Sequence, residues 1–453
     1  MAEYCGYITK IKNLQPLPNA DRLLVGQCFD DNIIVDKSYT EGQLVVYFPA
    51  GTQLGEEYCA ENNLVRKTDE NGKNIGGYLE NSRCVKAINL RKSKSDGLCL
   101  PVSSLSKFTN VNELRDGDKI SVLNGIVIAQ KYLPKRAYSD RTYSDKEKKK
   151  KISFECPLFE EHIDTEHLDK NLDEFKPNDI VQITCKMDGT SHRTAYLPVT
   201  RELPQTWFEK LLHLKPRKKT EWEYINGTRR VVLHSFDGGY YGNDEFRKHM
   251  AAHFENKLNK GEEVYFEIVG YTGPGGKPIR PTVDNKKVND KEFLNTYGPV
   301  TEFSYGCDVD GEYEPSEEDG VYLAPCCKLF VYRMTMTNEE GFTIEYSPAQ
   351  IAKRCREIGV ETVPLFETFF IPSDCEDPGA YVMEKAKQYY DGPDPVGKTH
   401  IREGVVVRIL NRSKFTAFKL KNHNYKVLAG IAVDKLVESG EINNMTQDEI
   451  DEL

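Results

Sequence analysis

The 453-residue chain contains no stretch of about 18 or more apolar residues, so neither a membrane span nor a membrane partner is expected. Its first residues, MAEYCGYITKIK, lack an apolar segment behind a basic start, which excludes a secretory signal. The 12 cysteines, scattered from Cys5 to Cys375, show no disulfide-framework spacing. Cys326 and Cys327 are adjacent, but no second pair stands at metal-ligand spacing. Reduced thiols and a cytoplasmic location are expected. Net positive charge is also missing: the formal charge is −10. That excludes a uniformly basic binder of nucleic acid, but not a local basic stripe. Basic residues do cluster, at Lys146 and Lys148 to Lys151, and again at Lys215, Arg217, Lys218 and Lys219. Acidic residues concentrate in DVDGEYEPSEEDG (308–320) and in the final DEIDEL. No internal repeat is present.

Length allows two to three domains, and 29% charged with 39% hydrophobic residues fits a globular chain. Residues 1–130 read as short strands (GYITKI, RLLVGQCF, NIIVD, QLVVYF, CVKAINL, KISVL) separated by turn signals such as PNAD and PAGT. Such spacing predicts a small all-β barrel or sandwich. Residues 131–155, with two prolines and the lysine run, read as a basic linker. From 156 to 453 strands and helices mix without regular βαβ alternation, so the class is α+β. Helices are predicted at DEFRKHMAAHFENKL and SPAQIAKRCREIG.

Chemistry concentrates at Lys186-Met187-Asp188-Gly189, the end of the run IVQITCK. Period-2 alternation puts Val181, Ile183 and Cys185 on one strand face and Gln182, Thr184 and Lys186 on the other. Gly189 is expected to permit a tight turn. Alone this is a weak signal, since a chain of this length gives roughly 0.1 chance matches. The ordered set that follows is stronger. Thr228-Arg229 precedes an apolar VVL. VYFEIVG (264–270) puts Tyr265 and Glu267 on one strand face. KLFVYR (328–333) is followed by EGVVVR (403–408), with Glu403 at the start of an apolar strand. FKLK (418–421) sends Lys419 and Lys421 to one face.

In this order the six elements resemble the covalent nucleotidyltransferases, the superfamily of ATP- and NAD-dependent ligases and mRNA-capping guanylyltransferases. The resemblance covers roughly 156–425 and implies an adenylation domain of antiparallel sheets with flanking helices. It implies that Lys186 carries the nucleotide as a phosphoramidate. Arg229 would contact sugar or phosphate, Glu267 and Glu403 would bind ribose and metal-held water, and Lys419 and Lys421 would grip the α-phosphate. Tyr332, with Phe330 as the fallback, would sandwich adenine. Asp188, Glu267 and Glu403 would serve Mg²⁺ or Mn²⁺ as hard oxygen ligands.

These roles make physical sense. An ordinary lysine, with pKa about 10.4, is almost fully protonated at neutral pH, and freeing its lone pair costs on the order of 4 kcal/mol. A nucleophilic lysine therefore needs cationic neighbours or desolvation. Lys419, Lys421 and a divalent metal would supply that charge and stabilise the α-phosphate in the transition state.

Only 32 residues follow Lys421, whereas DNA ligases and capping enzymes carry an OB domain there. This points to the RNA ligase branch. ITKIKNLQPLPNADRLLVGQC resembles the N-terminal OB domain of the Deinococcus/Naegleria-type RNA ligases, and HIDTEHLDKN and KMDGTSHR also look like that branch, where Arg193 follows the lysine motif. The resemblance implies ATP as nucleotide donor, covalent AMP, and RNA or an RNA-containing duplex with 3′-OH and 5′-phosphate ends as partner, sealed at nicks by a monomer. A GTP-dependent capping-type guanylyltransferase and a non-catalytic RNA-binding protein on a ligase fold are the alternatives. The chain departs from the branch in placing Cys185, not an acid, before the nucleophile. It also has extra residues in 201–224 and 308–320.

Overall fold

The computed structural model describes residues 4–70, 72, 74–134, 154–236, 241, 244–315, 322–323, 325–445 and 450. The lysine run 146–151, residues 316–320 of the acidic segment, and DEIDEL apart from Ile450 lie outside the described residues.

The N-terminal strands appear where the apolar alternation places them. Gly97–Pro101, Leu44–Pro49, Gly6–Lys10 and Lys119–Ile120 form one antiparallel sheet in that order. Both of its faces are covered. Ile8, Val46, Phe48 and Leu100 pack into one core, with Tyr58 and Leu105. Tyr7, Val45, Tyr47 and Cys99 pack into another, with Ile33 and Val35. A strand buried on both sides reads as a continuous apolar run, which is what LVVYF is. The second core is closed by a three-stranded sheet of Lys12–Pro16, Leu23–Cys28 and Asp31–Asp36.

The rest of the chain is mixed α/β, with antiparallel sheets and few helices. The larger sheet runs Val232–Leu233, Lys218–Gly227, Thr190–Glu202, Glu262–Gly270, Cys327–Thr337 and Thr343–Glu345. A five-stranded sheet has the order Glu166–His167, Thr416–Lys421, Gly404–Ile409, Ile180–Lys186 and Leu365–Phe370. Beneath it Val181, Ile183, Val405, Val407, Ile409 and Phe418 form a core, so the alternate residues of these strands face the other way. The predicted helices form as Glu245–Ala252 and Pro348–Ile358.

A 17-residue helix, His423–Ser439, follows Lys421. Asn422 caps its start by accepting from the Tyr425 amide, and Gly440 ends it with φ of 74°. This helix ties the two halves together. Lys426 Nζ lies 2.8 Å from Asp31 and 3.1 Å from Asp96, and His423 Nδ1 lies 2.9 Å from Asp96. Lys170 adds a second lysine, 3.4 Å from Asp31, among the rings of Tyr7, Phe29 and Tyr47. All twelve cysteines are free. Among the described residues no helix is long and apolar enough to cross a membrane.

Candidate active site

The two sheets and the N-terminal segment enclose a cavity of about 970 Å³. Lys186 reaches it from the end of its strand, together with Gln182 and Thr184, as the alternation required. In register, Lys186 lies opposite Gly404, which lies opposite Lys421 on the next strand. Gly404 has φ of 151°, and a Cβ there would meet the Leu420 carbonyl at 2.0 Å, so only glycine lets the three strands close at this point.

Glu403, one residue earlier, turns its buried carboxylate between the two lysines. Its Oε2 is 2.9 Å from Lys186 Nζ and its Oε1 is 2.8 Å from Lys421 Nζ. Burial alone would raise the Glu403 pKa, but Lys186 and Lys421 win and hold it at about 2. Lys419 lines the same wall and has no acid partner among the described residues. Burial, then Lys421, Lys186 and Arg229, push its pKa well below the ordinary lysine value.

The lysine motif is fixed from behind. Asp188 borders the cavity, but its carboxylate is ion-paired with Arg280 at 2.9 Å, and its backbone N–H donates to the Tyr305 hydroxyl at 2.8 Å. Gly189 serves a different purpose from the expected turn. Its φ is not positive, and a Cβ would strike the Ile268 carbonyl at 2.0 Å, so glycine is required by close approach of the two strands. Its N–H donates to Glu267 Oε1 at 3.0 Å, which holds that carboxylate at the cavity wall.

The aromatic wall is set by a β-bulge. Tyr265 pairs with Arg333 and Phe266 with Val331, leaving Tyr332 as the extra residue. Tyr332 thereby reaches the cavity, its hydroxyl 3.0 Å from Ser191 Oγ, whereas Phe330 is buried in the core. The His162 ring stands edge-on to Tyr332 at 5.1 Å and to Phe415 at 6.1 Å, and His162 Nδ1 is buried without a partner. Burial, then Arg333 and Arg229, keeps this imidazole neutral. Arg229 also borders the cavity, paired with Asp164. Arg193 does not. It is buried behind the sheet, over Phe159 at 3.9 Å, and donates to the Thr228 carbonyl at 3.0 Å.

Several cavity residues were not singled out from the sequence: His162, Asp164 and, from the first 132 residues, Tyr4, Lys86 and Tyr132; nor was Arg280, which pairs with Asp188. Tyr4 packs edge-on to His167 at 6.1 Å, and His167 is the register partner of Lys419. Cys185 turns to Asp394 at 3.6 Å, and burial lifts the Asp394 pKa to about 6.

No family model matches the chain, and no curated protein matches it by sequence. Solved structures do match by fold. A Naegleria gruberi RNA ligase variant with ATP and Mn aligns over 93% of this chain and 98% of that one, with TM-score 0.54 and 14% identity. The same organism's RNA ligase with PPi aligns over 93% and 97%, with TM-score 0.54 and 14% identity. The chain shares the fold of these RNA ligase structures. In this fold the six sequence elements that carried the resemblance meet at one cavity, with the lysine strand at its centre and the N-terminal segment on its rim.

Proposed function

We propose that the chain is an ATP-dependent RNA ligase that joins a 3′-OH to a 5′-phosphate through AMP carried on Lys186. The observation that carries this reading is the shared carboxylate: Lys186 and Lys421 both contact Glu403, beside Lys419, in a cavity large enough for a nucleotide. One lysine is thus held at the end of a strand with two further cations set to receive the charge of an α-phosphate.

In the first step Lys186 loses a proton to solvent and its amine attacks the α-phosphorus. The N–P bond forms as the bond to the bridging oxygen breaks, pyrophosphate leaves with the electron pair, and the phosphoramidate nitrogen releases a second proton. Lys419, Lys421 and Arg229 stabilise the phosphate charge. Tyr332 stacks on adenine, and Ser191 steadies the Tyr332 hydroxyl. AMP then passes to a 5′-phosphate end, and attack by the 3′-OH seals the strand and releases AMP.

Mg²⁺ or Mn²⁺ suits the donor set, since Glu267 and Glu403, with Asp188 behind them, present only hard oxygens. Among the described residues no three His, Cys, Asp or Glu side chains converge as a ligand cage, which suits an ion held mainly through water and phosphate. Bound there, the ion would neutralise phosphate charge. Residues 1–130 act as an OB-like nucleic-acid-binding domain and 131–155 as a basic linker to the adenylation domain, 156–453. The rim residues Lys86 and Tyr132 support this arrangement.

The test is sealing of nicked duplexes with RNA or DNA placed systematically on each side. Joining that requires RNA on the 3′-OH side is expected. Labelling of the protein by GTP alone would replace this reading with the capping-type one.

A further inference from the structure

The strands Thr190–Glu202 and Lys218–Gly227 form a long hairpin that starts beside the cavity and ends with Glu202 opposite Lys218. At 3.3 Å per residue its tip lies roughly 40 Å along the strand from Ser191. The tip is ordered. Leu203 donates to the Arg217 carbonyl at 2.8 Å and closes the loop. Within it the short helix Trp207–Leu211 carries a capping box between Thr206 and Glu209.

This ordered tip nevertheless points its large apolar side chains at solvent. Trp207 is 66% exposed, Phe208 57%, Leu211 66%, Leu212 65% and Leu214 52%. Ordering five such residues without burying them is unfavourable unless something else covers them. The rim is basic. Lys210 and Lys215 are exposed with no acid partner among the described residues, and Arg217, Lys218 and Lys219 follow, paired with Glu209, Glu155 and Glu221.

We propose that the hairpin tip, 203–219, is a peripheral docking site for an anionic lipid surface. Tryptophan, phenylalanine and leucine beside exposed lysines match the two attractions such a surface offers, apolar insertion and headgroup charge. Trp207 and Phe208 stack on each other at 3.6 Å, and the three leucines beside them add aliphatic area that suits acyl chains and not bases, which favours lipid over single-stranded nucleic acid. The tip lies on the surface and spans nothing. The expectation of no membrane partner came from the absence of a long apolar run, and a short exposed insert escapes that criterion.

The test uses the full chain with vesicles of phosphatidylcholine alone or mixed with phosphatidylserine. The chain has two tryptophans, so Trp222→Phe leaves Trp207 as the sole reporter. Co-sedimentation with serine-lipid vesicles and a blue shift of Trp207 emission are expected. Binding to phosphatidylcholine alone should be at least about tenfold weaker. The double substitution Leu211→Asp, Leu212→Asp should abolish both signals while AMP transfer to the protein stays unchanged, which also shows that the variant folds. Lys210→Glu with Lys215→Glu should remove the preference for serine lipid. Failure of the unsubstituted tip to bind serine-lipid vesicles would overturn the proposal. So would a double variant that instead loses self-association or retention of single-stranded RNA while still binding vesicles.

Discussion

Glu403 Oε2 lies 2.9 Å from Lys186 Nζ, and the same carboxylate contacts Lys421 at 2.8 Å through its other oxygen. The nucleophile is therefore held by an acid that a second cation shares. Glu403→Gln removes that shared charge and leaves two cations facing each other. AMP transfer to the protein should fall by about 100-fold or more, the scale of losing one preorganised electrostatic contact. Single-turnover labelling with ATP measures it, and near-normal labelling would show that Glu403 is dispensable.

The same carboxylate carries an acid-stability signature. Its folded pKa of about 2 lies below its ordinary 4.5, so its contribution is fully present above about pH 4.5 and is lost as pH falls from there through about 2. Asp164 is also depressed, with Arg229 outweighing burial, so the whole chain should lose stability over this range. Denaturant midpoints measured against pH should fall less steeply for Glu403→Gln than for the unsubstituted protein.

His162 and Tyr332 form the wall assigned to the base. Tyr332→Ala removes a ring face and its edge-on partner, and such aromatic pairs contribute about 0.5–1.5 kcal/mol, so the KM for ATP should rise about 3- to 10-fold. Tyr332→Phe should keep most of the binding. His162→Ala should narrow the preference for ATP over GTP, because the buried Nδ1 is a polar atom available to the purine. An unchanged ratio would place the base elsewhere.

Arg280 neutralises Asp188 at 2.9 Å, and both side chains are buried. Arg280→Met leaves that carboxylate buried without its cation. A destabilisation of about 3–5 kcal/mol is expected, as for other broken buried pairs. Urea unfolding provides the measurement, and a change within error would mean that the Asp188 carboxylate is satisfied by the Tyr425 hydroxyl and solvent.

Much of this site was legible in the sequence because it depends on period-2 alternation. Lys186, Lys419 and Lys421 each stand opposite an apolar neighbour in a short strand, so their faces follow from spacing alone. Tyr332 was harder, since a bulge shifts the parity of its strand and decides between it and Phe330. Spacing alone suggests a turn at Gly189, but what this position needs is space, and a contact with Ile268 cannot be seen locally. The Arg280–Asp188 pair and the junction of Lys426 with Asp31 and Asp96 join residues far apart in the chain, which spacing does not encode. The helix after Lys421 has its cap in Asn422 and its stop in Gly440, signals that were present but overshadowed by the short remaining length.

The central claim is that Lys186 carries the nucleotide. Incubation with ATP and Mg²⁺, followed by peptide mass mapping, tests it most directly. A single AMP on the peptide containing Lys186, absent from Lys186→Ala and from a reaction with GTP, is the predicted result. AMP on another residue, or equal labelling of the Lys186→Ala protein, would contradict the account.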